Sequence, residues 1–286
     1  MKVSAFTFIR NGVILGYPFI QSIKSVLPIV DEFVINVGES DDNTLKLINS
    51  IHSPKIRIIE SKWNQNMKDK GYVYGQQKMI SQFNCSGDWA FYIEGDEIYH
   101  ENDLDQIKAS MEEHLEDSNV EVLAFDFYHF YGNANTYLDS PGWYRSEARI
   151  IKTSSRSYAP DGLFWLILEH NKRGRYPKGK HTGVYCFHYG WVRSQDQMNL
   201  KSKQVQRYWG KKHQKIEYSQ MDSKIFKKFK GTHPKVIQDW LPKDLGIFQA
   251  DPSYKLSNKQ KKHRLMLKIE NILNIDLSKK HYKLIK

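Results

Sequence analysis

The sequence predicts an α/β fold, a mostly parallel sheet flanked by helices, on three observations. Short β-rich apolar runs and helix-spaced apolar residues alternate over roughly the first 130 residues, the pattern of βαβ units. The run Trp89-Ala90-Phe91-Tyr92-Ile93 is apolar throughout between Gly87 and Gly95, as a strand buried on both faces must be. At 286 residues the chain can bury a substantial core, in one large domain or in one domain with an appendage.

The elements follow in order. Residues 3–9 read as a first strand ending in the loop Arg10-Asn11-Gly12. Leu15, Phe19, Ile20, Ile23, Val26, Leu27 and Val30 recur at helical spacing, with Pro18 tolerable in the first turn. Residues 33–37 form a second strand, which runs into the polar turn Gly38-Glu39-Ser40-Asp41-Asp42-Asn43-Thr44 and a helix with Leu45, Ile48 and Ile51 on one face. A third strand at 56–59 and a helix at 72–83 precede the central strand. Beyond it, Leu104, Ile107, Met111 and Leu115 mark a helix, and residues 122–131 a strand. There the alternation breaks down. Residues 137–149 and 158–180 are rich in Gly, Pro, aromatic and basic residues, as loops that shape a pocket are. Residues 183–189 return to a strand pattern ending in His188-Tyr189-Gly190-Trp191.

Composition limits the class. The two cysteines, Cys85 and Cys186, make neither a disulfide framework nor a paired metal spacing, which points to a reducing compartment. The apolar run at 163–168 is far too short to span a bilayer, and Arg10 interrupts the N-terminal apolar run, unlike a signal peptide. A cytoplasmic protein is expected. The net charge of +11 is concentrated at one end. Residues 1–189 carry 20 Lys plus Arg against 24 Asp plus Glu, and residues 190–286 carry 23 against 8. That split suggests a catalytic domain over 1–192 and a basic, mainly helical extension over 193–286 that meets something anionic.

The central strand ends in three carboxylates, Glu94, Asp96 and Glu97, around Gly95. In open α/β sheets ligands bind beyond the carboxyl ends of the strands, and Gly95 would let the backbone approach one closely. Clustered carboxylates repel unless solvated or neutralised, and a divalent cation carrying a diphosphate is one natural neutraliser. An acidic turn capping the next helix is the alternative, and spacing alone leaves both open.

Taken together, the strand with Arg10-Asn11, the turn Ser40-Asp41-Asp42-Asn43-Thr44, and Gly87-Asp88-Trp89 leading to Gly95-Asp96-Glu97 resemble the nucleotide-sugar half of a family 2 glycosyltransferase of the GT-A (Rossmann-like) fold, over residues 1–190. The family's Asp-Asp-Gly-Ser-x-Asp-x-Thr survives here only as Ser40, Asp42 and Thr44. Val37-Gly38 replaces the Asp pair and leaves Glu39 as its substitute. The resemblance assigns Phe8, Arg10, Asn11, Glu39, Asp42, Glu94 and Gly95 to the nucleotide sugar. It assigns Asp96 and the late His188 to a Mn2+ or Mg2+ ion. It implies a nucleotide-diphosphate sugar donor, a glycan or glycolipid acceptor and a part in cell-surface polysaccharide biosynthesis.

An inverting transfer also needs a carboxylate to take the acceptor's proton. Asp161, in a Gly- and Pro-flanked loop with aromatic neighbours, is preferred to Glu169. Glu147, between Arg145 and Arg149, reads as ion-paired and structural. In the tail, Lys259, Lys261, Lys262, His263, Arg264 and Lys268 interleave with Leu265, Ile269, Ile272 and Leu273 at helical spacing. Such a helix either lies on an anionic membrane, here the inner face of the plasma membrane, or docks its apolar side on the body. Nucleic-acid binding by this region is the alternative function. Its aromatic residues stand mostly apart from the densest basic runs, which argues against a nucleic-acid partner.

Overall fold

The alternation in the first 92 residues folds as parallel strands in the computed structural model, which describes residues 1–212, 214–242 and 248–285. Strand β1 (Val3–Ile9), helix α1 (Phe19–Val26), β2 (Glu32–Gly38), α2 (Thr44–Asn49), β3 (Ile56–Ser61), α3 (Tyr72–Phe83) and β4 (Trp89–Tyr92) follow one another. Strand β1 lies between β2 and β4, parallel to both, and β3 continues the same sense beyond β2. Every residue of β4 is buried. Its pleat sends Trp89 and Phe91 into a core with Phe19, Ile23 and Val26 of α1, and Ala90 and Tyr92 into a second core with Phe6, Met79 and Trp165.

Past β4 the sheet becomes mixed. The elements are β5 (Glu97–Tyr99), α4 (Leu104–Glu113), β6 (Val122–Tyr131), β7 (Asn133–Leu138), β8 (Ser146–Lys152), β9 (Ser157–Tyr158), β10 (Leu166–Leu168), β11 (Gly174–Arg175), β12 (Lys178–Trp191), α5 (Gln195–Tyr208), β13 (Phe226–Lys228), α6 (Asn258–Leu273) and β14 (Lys283–Leu284). The main sheet runs β13-β7-β6-β8-β4-β1-β2-β3, with β12 beside β6 and both β5 and β14 beside β12; β9 to β11 form a small separate sheet. The expected mostly parallel sheet is corrected here, because β8 runs antiparallel to β4 and to β6, and β5 antiparallel to β12. Parallel neighbours need a long crossover, whereas β6 passes to β7 through the single residue Gly132 and can only reverse.

Two further expectations change with this topology. Residues 137–149 are not all loop, since 146–149 are the buried start of β8. The sequence hides this strand because two of its core side chains, Glu147 and Arg149, are charged, yet both are fully buried. Likewise, parts of 158–180 pair as β9 to β11. The basic last third returns to the body at several points. Strand β13 extends the sheet from β7, β14 pairs with β12, and residues 229–241 pack Phe229, Ile237 and Trp240 on Phe130, Phe187 and Tyr189. His281 Nδ1 lies 2.5 Å from Glu147 Oε2, so the partner of Glu147 is a histidine from the end of the chain and not the arginines beside it.

Arg149 ties the two halves of the sheet together. Its Nη2 lies 2.6 Å and its Nε 2.9–3.0 Å from the carboxylate of Glu97, and neither side chain is exposed. The same Nη2 reaches Glu94 at 3.3 Å, and the guanidinium lies over the rings of Phe127 and Tyr92. Removing one partner of a buried pair strands the other charge without solvent. Arg149→Met should therefore destabilise the protein by about 3–5 kcal/mol. Adding Glu97→Gln should recover part of the loss; urea unfolding of the single and double variants measures both, and a single variant as stable as the parent would remove this pair from the core's account.

Candidate active site

The parallel strands end on one edge, and a cavity of about 270 Å³ opens there. Its walls come from the residues after β1 and β4, from residues 162–163, from β12 and from α5. Of the residues expected to hold a nucleotide sugar, Phe8, Arg10, Asn11, Glu94 and Gly95 line it, as do Asp96 and His188. Position along the strands explains the convergence, because residues beyond the ends of neighbouring parallel strands face the same crevice.

One end of the cavity is aromatic. Phe8 stacks on Tyr92 at 6.1 Å between ring centres, and Trp63 and Tyr74 stand 5.9 and 6.2 Å from Phe8. Tyr208 of α5 closes this group edge-on, 5.5 Å from Tyr74. Among the described residues the indole N–H of Trp63 is buried without a partner. Flat π-faces suit a nucleobase. Nearby, Asn11 adopts φ of 54° and exchanges hydrogen bonds with Asp41, whose carboxylate also pairs with Arg10 at 3.2 Å.

The other end is a charge cluster around Asp96. Its Oδ2 accepts from Lys201 Nζ at 2.8 Å and lies 3.7 Å from Arg193 Nη2; its Oδ1 lies 3.7 Å from His188 Nε2. Burial opposes ionisation of Asp96, but Lys201, His188 and Arg193 outweigh it and hold the carboxyl well below the usual carboxylate range. Burial and the charge of Glu97 push Glu94 the other way, up to about 7, against the pull of Arg149. The antiparallel register places His188 opposite Glu97, one residue from Asp96. His129 then orients it. Its Nε2–H donates to the Tyr144 carbonyl at 2.7 Å, and burial together with His188 keeps the ring neutral. Its Nδ1 therefore accepts from His188 Nδ1–H at 2.8 Å, leaving His188 Nε2 toward Asp96.

Other expected residues lie elsewhere. Glu39 is exposed, and its backbone carbonyl accepts from Arg10 Nε at 2.7 Å. Asp42 spends its carboxylate on Thr44 and on the backbone N–H of Ile14, a turn-capping role. Asp161 sits beside the cavity in the turn that supplies Gly162 and Leu163, its Oδ1 accepting from Leu163 N–H at 2.8 Å. Helix α3 approaches this turn closely at Gly75, where a Cβ would stand 2.3 Å from the Ala159 carbonyl oxygen. Lys78, buried against the rings of Tyr92 and Trp165, donates to the carbonyls of Gly162 and Leu163. Glu169 is exposed, 3.4 Å from Arg175, and lines a separate hollow. The sequence reading missed Tyr17, Trp63, Tyr74, Lys201 and Tyr208, for which spacing offers no signal.

For a divalent cation, the two donors that face one another are Asp96 Oδ1 and His188 Nε2. A carboxylate oxygen and an imidazole nitrogen oriented by a second histidine fit such an ion. Among the described residues no third His, Cys, Asp or Glu completes a group with them, so other positions would fall to diphosphate oxygens and water.

No protein-family model and no curated protein matches the chain. Among solved structures it is similar to residues 1–349 of S. aureus TarS, at 16% identity over 54% of this chain and 48% of that one, with a TM-score of 0.37. The complex of that protein with UDP gives 15%, 54%, 47% and 0.35. Glucosyl-3-phosphoglycerate synthase from Mycobacterium tuberculosis, crystallised with Mn2+, UDP-glucose and phosphoglyceric acid, gives 15% over 44% of each chain and 0.32. The match spans less than half the length of each of these proteins. Likeness this low carries no argument, and what the site does rests on its own geometry.

Gly190 leaves room for that geometry. A Cβ there would stand 2.5 Å from His188 Nε2 and 3.2 Å from Asp96 Oδ2. Gly190→Ala should turn the His188 ring off Asp96 and cost about 1–3 kcal/mol. Imidazole nitrogen chemical shifts of His188 and His129, together with urea unfolding, test this; unchanged shifts would mean that the ring tolerates the methyl group.

Proposed function

We propose that the protein is a glycosyltransferase that moves a sugar from a nucleotide-diphosphate sugar to a hydroxyl of a glycan or glycolipid acceptor, with inversion. One observation carries this reading. A single strand-end cavity has an aromatic wall suited to a base at one end and a cationic, carboxylate-bearing cluster suited to a diphosphate at the other.

In the reaction the acceptor oxygen bonds to the anomeric carbon as the bond from that carbon to the diphosphate oxygen breaks. The acceptor's proton passes to a carboxylate. Asp161 is the proposed base, held at the cavity's edge by the turn that Lys78 and Gly75 support. Phe8, Trp63 and Tyr74 would stack on the base, and Arg10 and Asn11, braced by Asp41, would orient the nucleoside. A divalent cation on Asp96 and His188 would neutralise charge on the departing diphosphate. Incubation with a panel of nucleotide sugars should release one nucleoside diphosphate, faster with acceptor present. Asp161→Asn should slow transfer by roughly a hundredfold or more at unchanged donor affinity. Failure of the parent to bind or turn over any nucleotide sugar would refute the assignment.

Helix α6 supports a peripheral contact with an anionic membrane, hence a place on the inner face of the plasma membrane and a part in cell-surface polysaccharide synthesis. It is capped at Ser257 and fastened to the body by polar groups: Arg264 to Asp222 at 2.5 and 2.6 Å, and Glu270 to Arg145 at 2.8 and 3.0 Å. The opposite face leaves Leu265, Ile272 and Leu273 respectively 59, 80 and 60% exposed, beside the exposed Lys261, Lys262 and Lys268. Apolar residues framed by lysines fit an interface of anionic lipid. No helix among the described residues is long and apolar enough to cross a membrane. Leu265→Ser with Ile272→Ser should lower sedimentation with phosphatidylserine vesicles, and added salt should lower it further, with folding intact. Truncation is the poorer test because residues 281–285 bond into the sheet. Equal sedimentation of parent and variant would exclude this face.

A further inference from the structure

The positive charge around Asp96 exceeds what one carboxylate answers. Lys201 reaches Asp96 from α5, with its Nζ also 3.3 Å from the Gly190 carbonyl and 4.6 Å above the ring of Tyr17. Arg193, 1% exposed at its side chain, lies on the same Oδ2 at 3.7 Å. Its Nη1 donates to the Leu15 carbonyl, but among the described residues its Nε and Nη2 are buried without a hydrogen-bond partner, and the side chain lies behind the cavity rather than in its lining. Buried guanidinium N–H groups left unbonded are costly, and anionic oxygens are their strongest partners. Lys201 itself lines the cavity.

The geometry points to Lys201, backed by the charge of Arg193, as a resident cation for the donor's diphosphate, one that holds a nucleoside diphosphate in the cavity without any divalent metal. This rests on the nucleotide-sugar reading and adds to it. His188 Nε2 faces Asp96 Oδ1 whereas Lys201 donates to Oδ2, so an ion held at the first oxygen would assist transfer while the lysine secures binding. The ammonium is carried by the basic last third of the chain, on a helix whose Tyr208 also closes the aromatic end. Helix α5 thus spans both ends of the donor site. Its closest groups to Asp96 and the aromatic box, Lys201 and Tyr208, are seven residues apart, about two helical turns.

Calorimetric titration at pH 7 with UDP, GDP and CDP, in EDTA and in Mn2+, tests this on the full chain. The parent should bind at least one of them in EDTA, within about tenfold of its affinity in Mn2+. Lys201→Met should lose about ten- to hundredfold in EDTA, as for a hydrogen bond to a charged group. Lys201→Arg should restore most of that, and its thermal stability separates loss of charge from loss of fold. Binding that needs Mn2+ outright, or that Lys201→Met leaves unchanged in EDTA, would overturn the inference while leaving the nucleotide-sugar reading standing. If the parent bound no nucleoside diphosphate under either condition, the nucleotide-sugar reading would fall and this inference with it.

Discussion

The buried pair of Arg149 and Glu97 is the constraint on which the rest of the structure depends. It joins β8, the strand that turns the sheet antiparallel, to β5, the strand that carries the acidic turn onto β12. Two opposite charges fully out of water are tolerable only when hydrogen-bonded closely, and here three short contacts and two aromatic faces do so. With Glu97 fixed by Arg149, the residues before it have little freedom. Glu94 and Asp96 are thereby held at the strand end, one toward Arg149 and the other toward α5.

Electrostatic division follows from that placement. The three carboxylates of the turn have three different surroundings. Glu97 pairs with Arg149 inside the core, Glu94 is pushed toward neutrality by burial and by Glu97, and Asp96 is held ionised by the cations around it. The His129–His188 link adds an orientation that no charge supplies, since a neutral imidazole anchored to a carbonyl determines which nitrogen of its neighbour faces outward.

The basic third of the chain has three different fates. Part of it, Lys201 and Arg193, turns inward to Asp96. Part, Arg264, anchors helix α6, while Arg145, just before β8, answers from the body by gripping Glu270. On α6, Lys261, Lys262 and Lys268 face outward beside exposed aliphatic side chains. Helix α6 thus presents its apolar face to solvent and its polar face to the protein, the reverse of an ordinary surface helix. The expected alternative, an apolar side docked on the body, is not what the packing shows, although Leu267 does join the core beneath it.

Period and composition were enough to determine the parallel half: β1 to β4, the helices between them, and the strand-end position of Asn11 and Asp96; they also pointed to a helix over 259–275, where the structure has one over 258–273. Local patterns suffice there because buried apolar strands and amphipathic helices write their environment into nearest-neighbour spacing. They read the start of β8 as loop, because its buried Glu147 and Arg149 look like surface residues until their partners, His281 and Glu97, are known. They misplaced Glu39, Asp42 and Glu169 relative to the cavity, since a carboxylate's role depends on which donors reach it. Only the tertiary structure could bring Trp63, Tyr74, Lys201 and Tyr208 to one site, because their side chains meet across about 140 residues of chain and no local spacing encodes a contact of that range.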